Sequence, residues 1–206
     1  MSILDEIQYS CDTIKMAIDT KGFDLIKALK DFTPYNEIEK THLENSLHFL
    51  NTQESCFSRA NSHGHITGSA FLLNKDFSKI LLTHHAKLNR WLQFGGHSDN
   101  DKNTLRVAVK EVIEESGISD FILATNGIFD VDVHRIPYNQ KKNECEHYHY
   151  DIRFLFQTSY MDFQITDESN DIKWFTFDEF MELEPNDEFV RFAEKWKALL
   201  KKSRCN

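Results

Sequence analysis

A double glycine, a short polar loop and an amphipathic helix follow one another in residues 95–118 and constrain the fold more than any other stretch. The stretch reads GGHSDNDKNTLRVAVKEVIEESGI. Asn103 or Thr104 can cap the start of the helix, and Gly117 can end it in the left-handed conformation. Apolar residues recur at helical spacing, which predicts one stripe facing a core: Leu105, Ala108, Val109, Val112 and Ile113.

Three glutamates lie near the end of this predicted helix. At about 100° per residue, Glu111, Glu114 and Glu115 fall away from the apolar stripe and within about a third of the circumference. Carboxylates this close repel one another unless a cation lies among them. Oxygen ligands suit Mg²⁺ or Mn²⁺, which need few protein ligands when phosphates supply the rest. The alternative is a solvated acidic helix face that binds nothing.

The same stretch resembles the signature of the Nudix hydrolases, G-x5-E-x7-R-E-U-x-E-E-x-G-U, where U is a bulky aliphatic residue. Over 23 residues from Gly96, the chain keeps both glycines, both aliphatic positions and the last three glutamates. Lys102 stands where the signature has its first glutamate, and Lys110 stands where it has arginine. Those two side chains pair in the family, so we expect Asp99 or Asp101 to pair with Lys110 instead.

The resemblance implies a fold and an activity. The fold is of the α/β (α+β) class, a Nudix-like α/β/α sandwich with a mixed sheet over about residues 60–200, and the order of predicted elements fits it. The implied activity is Mg²⁺- or Mn²⁺-dependent hydrolysis of a nucleoside diphosphate linked to another group. Lys110 occupies the arginine position of the implied catalytic centre. The implied metal ligands are the Gly96 carbonyl and the carboxylates of Glu111, Glu114 and Glu115.

The general base is not identified by this signature. Glu111 serves in some family members, whereas others recruit the base from a distant loop. The loop before the strand predicted at 147–158 is a sensible place for it, because carboxylates and imidazoles there titrate at or below neutral pH. For each candidate the alternative is ordinary surface polarity. The candidates for base or substrate contact are Glu144, Glu146, His147, His149 and His97.

Composition and charge exclude several classes of protein. The formal net charge of −9 argues against non-specific nucleic-acid binding, although metal ions can still hold a nucleotide-sized anion. No run approaches the roughly 18 apolar residues of a membrane span. The N-terminus lacks a basic, apolar signal-like start. With its cysteines scattered and without a C-x-x-C pair, the chain is expected to be a cytoplasmic protein with reduced thiols: Cys11, Cys56, Cys145 and Cys205.

The remaining segments predict a helical extension and a sheet. Residues 1–58 are interpreted as a helical N-terminal extension and residues 59–206 as the Nudix domain. The extension could cover the catalytic domain or form a homodimer contact. Its third helix is predicted to have an inner face of Ile38, His42, Leu43, Leu47 and Leu50. Helices are predicted at about 3–18, 23–32, 37–52, 178 onward and 188–201, and strands at 65–74, 79–85, 121–136, 147–158 and 172–176.

Two other functions remain open at this stage. The lysines at 102 and 110 motivate a non-catalytic nucleotide-sensing or interaction module on the same scaffold. Isomerisation of an isoprenyl diphosphate would need a cysteine and a glutamate poised over the substrate. No cysteine lies beside the glycine turn in the sequence, which argues against the isomerase.

Overall fold

A mixed eight-stranded sheet lies between helices in the computed structural model, as the sequence predicted. The structure describes residues 18–86, 88–140, 143–165, 169–183 and 187–203, so the helix predicted at 3–18 lies almost wholly outside them. The helices are α1 (Leu25–Asp31), α2 (Glu37–Thr52), α3 (Thr104–Ser116), α4 (Phe177–Met181) and α5 (Asp187–Ser203). The strands are β1 (Gly64–Asn74), β2 (Lys79–His85), β3 (Arg90–Leu92), β4 (Phe94–His97), β5 (Ile122–Leu123), β6 (Asp130–Ile136), β7 (His147–Thr158) and β8 (Ser169–Thr176).

Two parallel strands form the centre of the sheet. β1 pairs with β7 along its whole length, from Gly64 opposite Tyr148 to Asn74 opposite Thr158. The other strands add antiparallel: β2 and β4 on β1, β3 and β8 on β2, and β5 and β6 on β7. The predicted hairpin is confirmed as β1 and β2, whereas the single strand predicted over 121–136 is two strands interrupted near Gly127, whose φ is 98°.

Alternation along β1 sends its side chains into two separate cores. Ile66 and Leu72 point toward α3, and Phe71 and Leu73 point toward α5. Phe71 stacks on Phe192 of α5 with ring centroids 3.8 Å apart. Full burial of each such side chain contributes about 1.5–3 kcal/mol, so both layers of helices are anchored through this one strand.

Helix α3 begins and ends as its sequence predicts. The Asn103 side chain accepts a hydrogen bond from the backbone N–H of Arg106, and Gly117 ends the helix with φ 71°. Four residues of the predicted stripe are buried and Ile113 is partly buried. The helix lies so close to the sheet that a Cβ on Gly68 of β1 would lie 2.7 Å from the carbonyl oxygen of Thr104.

Helix α2 packs Leu43, Leu47 and Leu50 of its predicted inner face against the core, but its first turn differs from the prediction. Ile38, assigned to the inner face, is 58% exposed, whereas Glu39 is fully buried. Glu39 accepts hydrogen bonds from the backbone N–H groups of Tyr35 and Val131, so its carboxylate is satisfied on the buried side. Apolar periodicity alone could not anticipate this, because a buried carboxylate with partners competes with an isoleucine for the inner position.

No helix among the described residues is long and apolar enough to cross a membrane. Cys56 is buried and Cys145 is exposed, and both carry free thiols, while Cys11 and Cys205 lie outside the described ranges.

Candidate functional site

The double glycine lets the end of β4 lie directly against two side chains. Gly95 is opposite Ser69 of β1, and a Cβ on Gly95 would collide with the Ser69 hydroxyl. A Cβ on Gly96 would collide with the Glu111 carboxylate of α3. Residues with a side chain therefore cannot stand at these two positions without displacing a polar group that the turn brings into place.

The three glutamates of α3 differ in their surroundings. Glu115 is 8% exposed and accepts a hydrogen bond at 3.1 Å from the backbone N–H of Gly95. Glu111 is half-buried against Gly96, and Glu114 is the more exposed. The prediction that all three point away from the core was wrong for Glu115, because β4 covers that side of the helix. The structure places Gly96, Glu111 and Glu115 together, with Glu114 on the adjoining surface.

The expected pairing of Lys110 with an aspartate was wrong. Asp99 accepts two hydrogen bonds from Arg59, at 2.6 and 2.5 Å, and Asp101 accepts two from Arg106, at 2.7 and 2.6 Å. Both aspartates pair with arginine rather than with Lys110, because a planar guanidinium can donate two hydrogen bonds to one carboxylate. The hydrogen bond from Arg59 lowers the pKa of Asp99. Lys110 instead places its ammonium 3.3 Å from a Glu114 carboxylate oxygen.

The acidic candidates for the general base separate into two environments. Glu146 is exposed and lies 2.5 Å from Arg135 in an ion pair. Glu144 is half-buried, and its backbone pairs with Asn139 in an isolated bridge. The negative charge of Glu144 also acts to raise the pKa of His97, although burial dominates and lowers it. Of the two glutamates in this loop, Glu144 is thus the one whose charge acts on His97 beside the glycine turn, as the charge of Asp99 also does.

Strand pairing brings several histidines together beside this turn. The parallel register places His65 of β1 directly opposite His149 of β7, and His97 of β4 lies on the same face. Ring centroids are 4.6 Å apart for His65 and His149, 4.8 Å for His65 and His97, and 5.2 Å for His97 and His149. His147 places its Nε2 3.3 Å from Nε2 of His149. We call His65, His97 and His149 the histidine cluster.

Burial favours the uncharged form of each ring in the histidine cluster. Burial lowers the pKa of His65 to about 4 and that of His149 to about 2, and the presence of the neighbouring histidines acts in the same direction. Burial likewise lowers the pKa of His97. Neutral imidazoles each present one nitrogen lone pair. Sequence reasoning nominated His97 and His149 but missed His65, which stands at the start of an apolar run and whose neighbours depend on the parallel register.

The same face of the sheet continues into a buried ionic network. Asp151 accepts hydrogen bonds from Thr67 at 2.7 Å and Ser69 at 2.6 Å, and from Arg153 at 2.7 Å. Arg153 is fully buried and also contacts Asp130 at 3.4 Å. On this face the four neighbouring strands β4, β1, β7 and β6 all carry polar side chains. Polar side chains are unusual on an interior face of a sheet, which indicates that this face has a role besides packing.

A cleft of about 1200 Å³ borders the loop between β4 and α3. Its lining includes Asp99 and Lys102 of this loop, Arg106 of α3, and the aromatic residues Phe23 and Phe57. The loop that carries Asp99, the partner of Arg59, therefore has the glycine turn at one end and an open cleft beside it.

Comparison with known proteins agrees with these features. A family model described as NUDIX domain matches residues 64–197. A curated protein of Lactococcus lactis subsp. cremoris, named "Probable DHNTP pyrophosphohydrolase", is 30% identical over 92 residues, which are 45% of this chain and 53% of that protein. The chain therefore spans about half the length of this curated relative.

Two solved structures show the same fold. One is the MutT protein from Methanosarcina mazei Go1, with a TM-score of 0.51 and 18% identity over 67% of this chain and 96% of that one. The other is a C. elegans Ap4A hydrolase in a binary complex, with a TM-score of 0.50 and 15% identity over 66% of this chain and 98% of that one. The matched NUDIX domain contains the glycine turn, α3 and all eight strands, and the chain belongs to the Nudix hydrolase family.

Proposed function

We propose that this protein is a divalent-cation-dependent hydrolase that cleaves the diphosphate bond of a nucleoside diphosphate linked to another group. One observation carries the proposal: the carboxylates of Glu111 and Glu115 lie against the double glycine, one beside Gly96 and one hydrogen-bonded to Gly95. Membership of the Nudix hydrolase family supports hydrolysis of a pyrophosphate bond. The division into an extension of residues 1–58 and a catalytic domain of residues 59–206 is part of the proposal.

The donor set fits a hard cation. Carboxylates of Glu111, Glu114 and Glu115 and the carbonyl of Gly96 would hold Mg²⁺ or Mn²⁺, since both prefer oxygen ligands and leave positions for phosphate. The Glu111 carboxylate lies against Gly96, and this supports the assignment because a side-chain oxygen ligand and a main-chain residue of the proposed site are close together. A cation bound there would neutralise diphosphate oxygens and lower the pKa of the attacking water.

Other residues of the site would position the substrate. The Gly95 N–H fixes the orientation of the Glu115 carboxylate, so that this group needs little reorganisation when a cation binds. Arg59 is held by Asp99, and its pKa is raised mainly by that hydrogen bond and to a smaller extent by the charge of Glu111. Arg59 is thus a fixed positive charge near the carboxylates, and we assign it to a phosphate oxygen of the substrate.

Glu144 is the residue that we assign as proton acceptor for the attacking water. It is half-buried and its field reaches His97, whereas Glu146 is exposed and engaged by Arg135. His147 is held by its own contact to the Cys145 carbonyl oxygen, at 2.8 Å, and its other nitrogen faces His149. A base must lie within hydrogen-bond reach of the attacking water in the substrate complex, and we assign that role to the Glu144 carboxylate.

The test is a substrate panel assayed with Mg²⁺ and with Mn²⁺. The panel contains nucleotide sugars, ADP-ribose, dinucleoside polyphosphates, nucleoside triphosphates and DHNTP, the compound in the name of the Lactococcus relative. We expect metal-dependent release of a phosphate-bearing product from at least one compound, and its loss by at least about 100-fold in Glu115→Gln. Glu44→Gln, an exposed position on α2, is the matched control.

Two outcomes would contradict the proposal. Turnover that is unchanged in Glu115→Gln would show that this carboxylate holds no catalytic cation. Nucleotide binding by calorimetry without turnover of any compound would favour the non-catalytic sensing module instead.

A further inference from the structure

The histidine cluster meets the geometric requirements of a second metal site. His65, His97 and His149 each offer one ring nitrogen, and these nitrogens all lie within 4.8 Å of one another. They come from three neighbouring strands, β1, β4 and β7, whose pairing fixes the backbone positions. None of the three belongs to the carboxylate group of α3. The cluster is the group of this kind found among the described residues.

His65 supplies an independent indication that the cluster takes a ligand. Its side chain is 1% exposed, yet neither Nδ1 nor Nε2 has a hydrogen-bond partner. The ring faces three other histidines, with centroids 4.8 Å from His97, 4.6 Å from His149 and 5.0 Å from His147. Buried polar groups are nearly always paired, so an interior imidazole with two unpartnered nitrogens indicates a ligand that bonds to nitrogen.

We propose that His65, His97 and His149 bind a late first-row divalent transition metal, with Zn²⁺ as the representative ion. Imidazole nitrogen suits Zn²⁺, Ni²⁺, Co²⁺ and Cu²⁺, whereas carboxylate and carbonyl oxygen suit Mg²⁺ and Mn²⁺. The protein therefore carries two sites of different chemical preference, one on α3 and one on the sheet.

The geometry needs only ring rotation to close on an ion. Zinc–nitrogen bonds of about 2.0–2.1 Å place two tetrahedral ligands about 3.4 Å apart, and the separations here extend to 4.8 Å. The three Cα positions are held by hydrogen-bonded strands, so rotation of the rings about their side-chain bonds supplies the difference.

His147 acts as a positioning residue for this site. Its Nδ1 lies 2.8 Å from the Cys145 carbonyl oxygen, which can only accept, so Nδ1 carries the proton. In the neutral ring Nε2 is then an acceptor, and it faces Nε2 of His149 at 3.3 Å. A histidine ligand is commonly oriented by a hydrogen bond from its other nitrogen, and His147 provides that partner.

Three protein ligands leave a fourth position open, the arrangement of zinc sites that also bind a water or a substrate oxygen. His97 directly follows Gly96 on β4, and side-chain alternation places the cluster on the face of the sheet opposite α3 and the proposed Mg²⁺ site. This inference stands without the hydrolase activity, because it rests on the nitrogen cluster alone.

The experiment titrates the full-length, metal-free protein with Zn²⁺ against a chromophoric chelator. We expect one equivalent to bind, and the affinity to fall by at least about tenfold in His97→Gln and in His149→Gln. His63→Gln is the matched control, since His63 is exposed just before β1. The double variant Glu111→Gln/Glu115→Gln is expected to keep its Zn²⁺ affinity, and the histidine variants are expected to keep Mn²⁺ binding measured by electron paramagnetic resonance.

A second measurement requires no variant. Co²⁺ added to the wild-type protein is expected to give the intense visible absorption of a four-coordinate nitrogen–oxygen site. Absence of this absorption together with absence of Zn²⁺ binding would overturn the proposal. Zn²⁺ binding that survives both histidine substitutions but is lost in the glutamate double variant would overturn it as well, by placing the zinc on α3. Neither result depends on whether the diphosphatase assay succeeds.

Discussion

The ammonium of Lys195, on α5, donates a hydrogen bond at 2.5 Å to the carboxylate of Glu39, on α2. Both side chains are buried, and Lys195 also contacts Asp130 at 2.8 Å and the Phe129 carbonyl oxygen at 2.9 Å. Glu39 accepts a further bond from the Val131 N–H. The two helices are thus joined through edge strand β6 by charges that water does not reach.

Breaking this ion pair should destabilise the protein strongly. Lys195→Met removes the ammonium that is hydrogen-bonded to the buried carboxylate of Glu39, and Glu39→Leu removes one of the two carboxylates that Lys195 contacts. We expect each to lower the free energy of unfolding by about 3–5 kcal/mol, measured by urea denaturation. The double variant is expected to lose less than the sum of the two, because the interaction between Lys195 and Glu39 is lost in both single variants and is counted twice in the sum.

An exposed ion pair on the same helix is the matched control. Lys40 and Glu37 lie 3.3 Å apart, and the Glu37 side chain is 89% exposed. Glu37→Gln is expected to cost less than about 1 kcal/mol. Equal losses for the exposed and the buried pair would contradict the assignment of Lys195 and Glu39 as a stabilising link.

Asp132 makes stability depend on acid pH. Burial alone would raise its pKa, but the surrounding charges and hydrogen bonds outweigh burial and lower the pKa. A carboxyl whose folded pKa lies below its unfolded pKa of about 3.9 stabilises the fold above that value, and the contribution is lost as pH falls below it. The groups that face it are His134 on β6, Arg153 on β7, Arg191 on α5 and His42 on α2.

We therefore expect Asp132→Asn to flatten the fall in unfolding free energy between about pH 5 and pH 2. The variant should also be less stable at neutral pH, since Arg153 and Arg191 lose a counter-charge. Chemical denaturation across that range measures both effects, with the exposed Asp120→Asn as control. A slope equal to that of the wild type would rule out Asp132 as a source of acid sensitivity.

Two glycines of neighbouring strands should respond differently to alanine. In Gly68→Ala the new methyl group meets the Thr104 backbone and Val107, which cannot move without shifting α3. In Gly96→Ala the methyl group meets the end of the Glu111 side chain, which can rotate away. We expect Gly68→Ala to lower the melting temperature by several degrees, and Gly96→Ala to keep the fold but weaken Mn²⁺ binding. The reverse pattern would contradict the placement of Glu111 at the glycine turn.

In the proposed metal site, Lys110 would compete with the cation for Glu114. Its ammonium lies 3.3 Å from that carboxylate on an exposed part of the helix. Removal of one exposed positive charge at this distance is expected to tighten Mn²⁺ binding by a few fold, about 1 kcal/mol or less, in Lys110→Met. Lys102→Met, which removes a charge from the loop rather than from α3, is the control. Weaker Mn²⁺ binding in Lys110→Met would show that this lysine orients the ligands.

Local patterns were sufficient to predict most of the helices and strands that the structure describes. Helix α2 was predicted at residues 37–52 and occupies Glu37–Thr52, because a cap, apolar spacing and a following loop all act within a few residues. The glycine turn and the glutamates of α3 were identified for the same reason. The residues that interact within one helical turn or one strand are close together in the sequence, so a local pattern is enough to identify them.

Relationships across the sheet were not accessible to the same reasoning. His65 became part of a cluster only through the register of β1 on β7, and that register is set by packing of the whole sheet. The burial of Glu39 was not predicted, because hydropathy favours the neighbouring Ile38 for the inner position. Hydropathy also takes no account of the buried Lys195, 156 residues away in the chain, with which Glu39 pairs. Likewise, Asp99, a predicted partner of Lys110, pairs with Arg59, which precedes it by 40 residues.

The central pairing of β1 with β7 has a consequence for biosynthesis. The two strands meet across separations such as the 84 residues between Thr67 and Asp151. During translation β1 leaves the ribosome well before β7 has been synthesised. Its apolar residues are therefore part of a nascent chain in which the central strand pairing cannot yet form. Such long-range pairing slows folding and leaves the emerging segment dependent on holding factors until the last third of the protein has been made.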